Sequence, residues 1–313
     1  MERYWGISMA PKARIAGLNH IGQGKVRDIY EISDELLLLV ASDRISAFDV
    51  VMSEPIPNKG QVLTQLAAFW FQKTSHIIPN HLVSAHDDEV RGALEGAGGT
   101  WDDWLCGRVM LCQRTKPLAV EAVVRGYLSG SGWKQYQKTP GQLWGHVVPL
   151  GLAESQMLPQ PIYTPSSKAT EGHDQPLTVA EAALVSNGYA SLVETTAVML
   201  YQFAADLVDP LGLILADTKF EFGVHPDGRL LLIDEALTPD SSRYWLCNQY
   251  QIGISPPSFD KQYVRDYLES IHGWNKRYPA PTLPTDVIMN TRSKYLDAYS
   301  RITGSELIDA TNG

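Results

Sequence analysis

Positions 216–243 read ADTKFEFGVHPDGRLLLIDEALTPDSSR, which sets Asp217, Glu221, Asp234 and Asp240 beside Lys219 and Arg243 within two apolar runs. Desolvated carboxylates are costly unless they are paired or bind a metal. Acid at this density therefore points to a divalent metal carrying a nucleotide, with a solvated strand face as the plain alternative. Leu213, Ile214 and Leu215 lead in, Leu230, Leu231, Leu232 and Ile233 lead out, and Pro226-Asp227-Gly228 lies between them. That punctuation predicts a β-hairpin. Asp217, Lys219 and Glu221 are two apart, so a strand sends all three to one face.

Two hairpin registers are open. A two-residue loop at Asp227-Gly228 puts Glu221 opposite Asp234 with Cβ atoms about 5 Å apart, close enough to share an ion. A turn with a bulged glycine puts Glu221 opposite Ile233, and only a later bulge then brings Asp234 round. Asp217 lies about 13 Å along the strand from Glu221, so it takes a neighbouring role on substrate or nucleotide.

Gly22-Gln23-Gly24-Lys25-Val26-Arg27-Asp28 puts two glycines and two cations at a predicted strand-to-strand turn. Glycines let backbone N–H groups approach phosphates, and Lys25 and Arg27 can neutralise them. The motif is not a Walker loop, because Val26 follows Lys25 where Ser or Thr is needed. A glycine turn over phosphates with distant acids on magnesium is the kinase-like way of holding ATP. The run VEAVVRGYLSGSGW at 120–133 ends Arg125's apolar stretch in a small-residue loop with Ser129, Gly130, Ser131 and Gly132. Hydroxyls and N–H groups beside an arginine suit a phosphate monoester or a carboxylate, and Arg243 offers a second such cation. SDRISAFD at 42–49 and Asn58-Lys59-Gly60 are uninformative by spacing alone. YTPSSKATEGHD at 163–174 reads as a loop able to close over substrate, and its His173 is given no proton-transfer role.

The elements that must position these groups follow from pattern. Residues 19–52 alternate as strands, 61–75 read as a helix with an aromatic face, and 87–103 as a surface loop or short helix. Thr178 and Glu181 form a capping box, Asn187-Gly188 breaks that helix, and a second runs from about 190 to 208 before Pro210. Further helices near 259–272 and 285–302 close at Gly273 and Gly304. The expected fold is α+β and two-lobed, with a β-rich N-terminal lobe (1–117) and a mixed α/β C-terminal lobe (118–313). It is kinase- or ATP-grasp-like, with ATP in the cleft between lobes.

The 313 residues are 44% hydrophobic and 19% charged, as in an ordinary soluble globular protein. A net charge of −9 argues against a nucleic-acid partner, while a local cationic cluster still allows small anionic substrates. Cys106, Cys112 and Cys247 cannot all pair and lack zinc-like spacing, so buried reduced thiols are expected. With no signal-peptide pattern and no apolar run of about 18 residues, a cytoplasmic protein without a membrane partner is expected. Oligomeric state stays open, with a monomer favoured.

In this order and spacing GKVRDIYE, SDRISAFD, NKG, VEAVVRGYLSGSGW, YTPSSKATEGHD, ADTKFEFG and IDEALTPDSSRYW resemble the SAICAR synthetase family, over residues 10–303. The resemblance implies an ATP- and magnesium-dependent ligase of de novo purine biosynthesis. Such an enzyme joins L-aspartate to the carboxylate of carboxyaminoimidazole ribotide (CAIR), releasing ADP and phosphate. It implies Gly24, Lys25, Val26 and Arg27 on the ATP phosphates, and Glu221 and Asp234 as nucleotide-site magnesium ligands. Arg125, Ser131 and Arg243 would hold the ribotide, with catalytic positions for Lys219, Asp217 and Asp240. Residues 1–9 and 87–103 lie outside the motifs, as in a longer form of the family. A kinase-like phosphotransferase would use the same ATP parts, but the His-Arg-Asp and Asp-Phe-Gly strings of protein kinases are missing. A non-catalytic nucleotide-binding protein is disfavoured by the intact acidic pair and both arginines.

Overall fold

The computed structural model describes residues 15–168, 174–259 and 261–307. The alternating N-terminal stretch forms β1 (Asn19–Gln23), β2 (Arg27–Glu31) and β3 (Leu36–Ala41). Then come α1 (Lys59–Thr74), β4 (Leu82–Ser84), α2 (Asp87–Gly96) and β5 (Val109–Gln113). The strands make one antiparallel sheet in the order β1-β2-β3-β5-β4.

A second sheet begins three residues after the first ends, with β6 (Lys116–Tyr127). It is followed by α3 (Gly130–Lys138), β7 (Met157–Tyr163), α4 (Val179–Val185) and α5 (Ala190–Val208). The chain continues through β8 (Leu213–Val224), β9 (Leu230–Ile233), β10 (Ser242–Leu246), α6 (Gln262–Ser270) and α7 (Thr285–Thr303). The order is β7-β6-β8-β9, and β10 also pairs with β8. The twelve-residue strands β6 and β8 form the centre of this sheet. Backbone bonds stitch the sheets together: Leu232 N–H donates to Pro79 C=O and His81 N–H to Leu232 C=O, both at 3.0 Å, while Gln113 N–H donates to His81 C=O at 2.7 Å.

The helices bury the faces that their periodicity defines. Val62, Leu63, Leu66, Trp70 and Phe71 of α1 and Val193, Ala197, Leu200 and Ala204 of α5 enter one core with Leu39, Met110, Val124, Phe220 and Phe222. Burying each large apolar side chain stabilises by about 1.5–3 kcal/mol, so this core joins both sheets firmly. Tyr295, Ala298 and Ile302 of α7 belong to the same core. Ile45, Val50 and Ile56 pack against Val264, Leu268 and Val287, so the C-terminal helices also clasp the N-terminal part of the chain.

Segment 87–103 contains the short helix α2, and the capping box at Thr178 and Glu181 opens α4. Gly304 closes α7 at φ 72°, the left-handed backbone that glycine adopts without strain. The bulged-glycine register is the one adopted: Glu221 pairs with Ile233. Gly228 N–H donates to His225 C=O and His225 N–H to Arg229 C=O, both at 2.9 Å, with Gly228 at φ 89°. The two-residue loop is excluded. Cys112 is the buried free thiol expected, but Cys106 is only partly buried and Cys247 is exposed in the turn after β10. Among the described residues no helix is long and apolar enough to cross a membrane. His173 and the middle of its loop lie outside the described residues.

Candidate active site

Strand β8 carries the polar stripe, and its neighbours complete it. Asp217 is paired in register with Arg125 of β6 on one side and Arg243 of β10 on the other. Its Oδ2 lies 3.3 Å from Arg243 Nη1 and 3.5 Å from Arg125 Nη1, and it accepts a bond from Ser129 Oγ at 2.8 Å. Burial works against the Asp217 charge, yet Arg243 and Arg125 outweigh it and hold the carboxyl below its ordinary pKa. Arg125 donates from Nε to Thr164 Oγ1 at 2.9 Å and from Nη2 to Ser131 Oγ at 3.0 Å. Its guanidinium plane lies over Trp144.

The small-residue stretch expected as a loop is the start of helix α3, with Ser129 at the N-cap position. Gly130 has φ 52°, and a Cβ there would come 2.8 Å from the Arg243 guanidinium. Glycine lets the arginine lie against the backbone of the first turn. Two guanidiniums, Ser131 and the unpaired N–H groups of a helix start thus converge, an arrangement suited to a phosphate or carboxylate.

Two register positions along, Lys219 reaches Glu121 Oε1 at 2.5 Å and Glu221 Oε1 at 3.3 Å. Glu121 and Glu221 are directly paired across β6 and β8, which destabilises unless a cation intervenes. Lys219 and Lys168, the latter ion-paired with Glu221, supply that charge. Burial opposes the Lys219 charge, but Glu221, Glu121 and Asp234 together raise its pKa above the ordinary lysine value. Asp234, at φ 65°, turns off the end of β9 and ion-pairs with Arg27 of β2. Arg27 Nη2 also lies 2.7 Å from Glu235. Burial again disfavours the guanidinium charge, and Asp234 and Glu235 overcome it.

Glu221 and Asp234 are therefore not cross-strand partners, but both act on Lys219. Their hard oxygens fit magnesium, which takes one or two carboxylates and completes its shell with phosphate oxygens and water. Among the described residues no group of three or more His, Cys, Asp or Glu side chains is placed to hold a metal.

The glycine turn lies beside this cluster. Gly24 N–H donates to Arg27 C=O at 2.7 Å, and Val26 C=O accepts from Ser42 N–H at 2.8 Å. Arg44 Nε donates to Lys25 C=O at 3.1 Å and its Nη1 lies 3.0 Å from Asp28. Lys25 is exposed and ion-paired with Asp49. SDRISAFD thus braces the turn from below, a role its spacing did not disclose.

Asp240 pairs with a separate set of cations, and its charge also favours the ionised Arg27. It is 2% exposed and bonded to Lys59 at 2.7 Å, Lys261 at 3.2 Å and Tyr295 Oη at 2.5 Å. Burial raises its pKa, and Lys261 and Lys59 more than reverse this, leaving the carboxyl well below the usual range. Lys59 itself, wholly buried, is pushed down from the ordinary lysine value by desolvation despite Asp240. Lys59, Lys261 and Tyr295 occupy both oxygens of the Asp240 carboxylate. Ser129 lies beside Arg125 as the sequence reading has it, whereas that reading gave Glu121, Lys168, Thr164 and Lys59 no individual place in the site. Two of them left a signal: Glu121 shares the strand face of Arg125, and Lys59 lies on the buried stripe of α1.

Paired guanidiniums at one end of a strand face and a carboxylate–lysine cluster at the other define a site for polyanionic substrates. Comparison with known proteins agrees. Residues 20–281 match the family model described as SAICAR synthetase. A phosphoribosylaminoimidazole-succinocarboxamide synthase of Methylobacillus flagellatus is 51% identical over 293 residues, 93% of this chain and 96% of that protein. One from Thioalkalivibrio sulfidiphilus is 51% identical over 297 residues, 94% and 98% of the two chains. Among solved structures, SAICAR synthase from Saccharomyces cerevisiae complexed with SAICAR has a TM-score of 0.84 at 41% identity, covering 96% of this chain and 99% of that one. A type-2 SAICAR synthetase in complex with ADP has a TM-score of 0.66 at 24% identity, covering 92% and 99%, a likeness of fold alone. The chain belongs to the SAICAR synthetase family, and its mixed α/β fold is that of SAICAR synthase structures.

Proposed function

We infer that this protein is an ATP-dependent carbon–nitrogen ligase of purine biosynthesis, joining the amine of L-aspartate to the carboxylate of CAIR to give SAICAR, ADP and phosphate. The observation that carries this is one strand face with Asp217 between two guanidiniums at one end and Lys219 among carboxylates at the other. The first end suits a ribotide phosphate, the second a triphosphate and a reacting carboxylate. The relatives' names, the SAICAR bound in the yeast enzyme and the ADP bound in the type-2 enzyme support the same substrates.

In this reading Arg125, Ser131 and Arg243 hold the ribotide phosphate, and Asp217 keeps the two guanidiniums aligned. Gly24, Lys25, Val26 and Arg27 line the triphosphate. Glu221 and Asp234 would hold magnesium, which supplies neutralising charge on the phosphates when bound. A carboxylate is a poor electrophile, so phosphoryl transfer from ATP makes an acyl phosphate, and the aspartate amine displaces phosphate to form the amide. Lys219 offers positive charge where carboxylate and phosphate oxygens crowd together. Asp240 is read as a support for the Arg27 end, since its charge favours the ionised Arg27.

The two sheets are read as two lobes, 1–117 and 118–313, kinase- or ATP-grasp-like, with ATP between them. Support comes from the sheet change between Gln113 and Lys116 and from Arg27 of the first sheet meeting Asp234 and Glu235 beyond the second. A cytoplasmic monomer completes the proposal. The test is ADP release from purified protein supplied with ATP, magnesium and the ribotide, with and without aspartate. A ligase releases ADP in proportion to the amide formed and needs aspartate. Release that ignores aspartate would instead establish a phosphotransferase.

A further inference from the structure

Arg125 meets the ribotide end of the site with an aromatic ring against its guanidinium, and the ring comes from residues 142–147, between two of the sequence motifs. Gln142-Leu143 and His146-Val147 pair as a short antiparallel hairpin, with Leu143 opposite His146 and Gln142 opposite Val147. Its two-residue loop is Trp144-Gly145, at φ 45° and 95°. A hairpin this tight takes left-handed backbone at both loop positions, and Asn-Gly is the pair that adopts it readily. A bulky aromatic residue suits the first position poorly, so surrounding contacts must hold it there. Those contacts include Arg125, whose guanidinium carbon lies 5.2 Å from the Trp144 ring centroid.

The hairpin is itself tied to the segment that orients Arg125. His146 Nε2 lies 2.6 Å from the Tyr163 carbonyl oxygen, and because a carbonyl only accepts, the imidazole donates. Thr164 follows directly, and its Oγ1 accepts from Arg125 Nε. Beneath the hairpin Leu143 and Val148 are buried with Leu128 and Tyr136, and Trp144 packs against this cluster. Arg125 is thus held at its edges by Thr164, Ser131 and Asp217, and on one face by Trp144. With that face covered, an anion reaches the guanidinium through the N–H groups left at its edge, which is the approach a bidentate phosphate needs. We propose that Trp144 is a positioning residue for Arg125, its ring fixing the plane of the guanidinium that receives the phosphate monoester of the ribotide. The proposal rests on the reading that Arg125 holds that phosphate. Trp144 acts through Arg125 and takes no part in bond making.

Steady-state kinetics of ring variants test it. Trp144→Leu keeps an apolar side chain but removes the aromatic face. It is expected to raise KM for the ribotide about tenfold, within the range of a desolvated cation–π contact, with KM for ATP within about twofold. Trp144→Phe restores an aromatic face and is expected to recover most of that loss. An unaltered ribotide KM in Trp144→Leu, equal rises in the Leu and Phe variants, or parallel rises for ribotide and ATP would each overturn the proposal. Ribose 5-phosphate, a phosphate monoester without the imidazole, is the second probe. Its inhibition constant against the ribotide is expected to rise in Trp144→Leu by the same factor as the ribotide KM. A constant that stays at the parent value overturns the proposal, because the ring then serves the base and not Arg125. Arg125→Lys separates the two levels of inference. If it binds the ribotide like the unaltered enzyme, the reading of Arg125 fails, and if it is impaired while Trp144→Leu is not, only the positioning role fails.

Discussion

Lys59→Met tests whether the ion cluster around Asp240 holds the C-terminal helices to the rest of the chain. Lys59 has no exposed side-chain surface and its ammonium lies 2.7 Å from an Asp240 carboxylate that is itself 2% exposed. Breaking such a buried pair costs about 3–5 kcal/mol, because the surviving charge keeps its desolvation penalty and loses its partner. The lower end applies to Lys59→Met, since Lys261 and Tyr295 still serve Asp240. Asp240→Asn belongs at the upper end, since it leaves Lys59 and Lys261 facing each other with no carboxylate between them. At about 2.1 cal/mol/K per residue the unfolding entropy of this chain is about 0.66 kcal/mol/K. The expected falls in melting temperature are therefore about 5 °C for Lys59→Met and about 8 °C for Asp240→Asn. The double variant removes one ammonium together with the carboxylate, so its fall should stay near 8 °C, well short of the additive 13 °C or so. Calorimetry with urea denaturation reads all three. Additive losses, or a Lys59→Met protein as stable as the parent, would refute the reasoning.

Asp234→Asn should leave the far-ultraviolet circular dichroism and melting temperature nearly intact while removing most ADP release, because Arg27 retains Glu235. Wild-type turnover in the folded variant would strike Asp234 from the site. Gly130→Ala puts a Cβ 2.8 Å from the Arg243 guanidinium on a φ of 52°, and is expected to raise KM for the ribotide about tenfold while sparing KM for ATP. Arg243→Lys keeps the charge but loses the planar fork, so a rise of similar size is expected in the same constant. Acid titration of stability should show a loss beginning near pH 4. Asp217 and Asp240 have folded pKa values below their unfolded ones, so their contribution is complete above about pH 4 and fades as pH falls through the folded values. Urea midpoints that stay flat from pH 5 to pH 2 would contradict it.

Where a feature is local, the chain announces it. The capping box at Thr178 and Glu181 needs only residues three apart, and Gly304 and the Pro-Asp-Gly turn are set by backbone conformations few other residues tolerate. The stripe of Asp217, Lys219 and Glu221 was legible for the same reason, since the pleat alone fixes which residues share a face. Register was the first thing to escape, because both turns accept the same three residues. What decided between them was hydrogen bonding by His225 and Arg229, whose backbone groups carry no signature in sequence.

The site's partners escaped for a different reason. Arg27 meets Asp234 across 207 residues and Lys59 meets Asp240 across 181, and neither approach is encoded near either residue. Each pair forms because apolar faces elsewhere bring the elements together, α1 and α7 in one core and β5 and β9 around segment 79–81. A buried lysine on an apolar helix stripe announces that some carboxylate must exist, without naming it. The same logic bears on Asp240. An acid in a site-like string does not disclose its cations, and here Lys59 and Lys261, each from a different helix terminus, pair with it from 181 and 21 residues away.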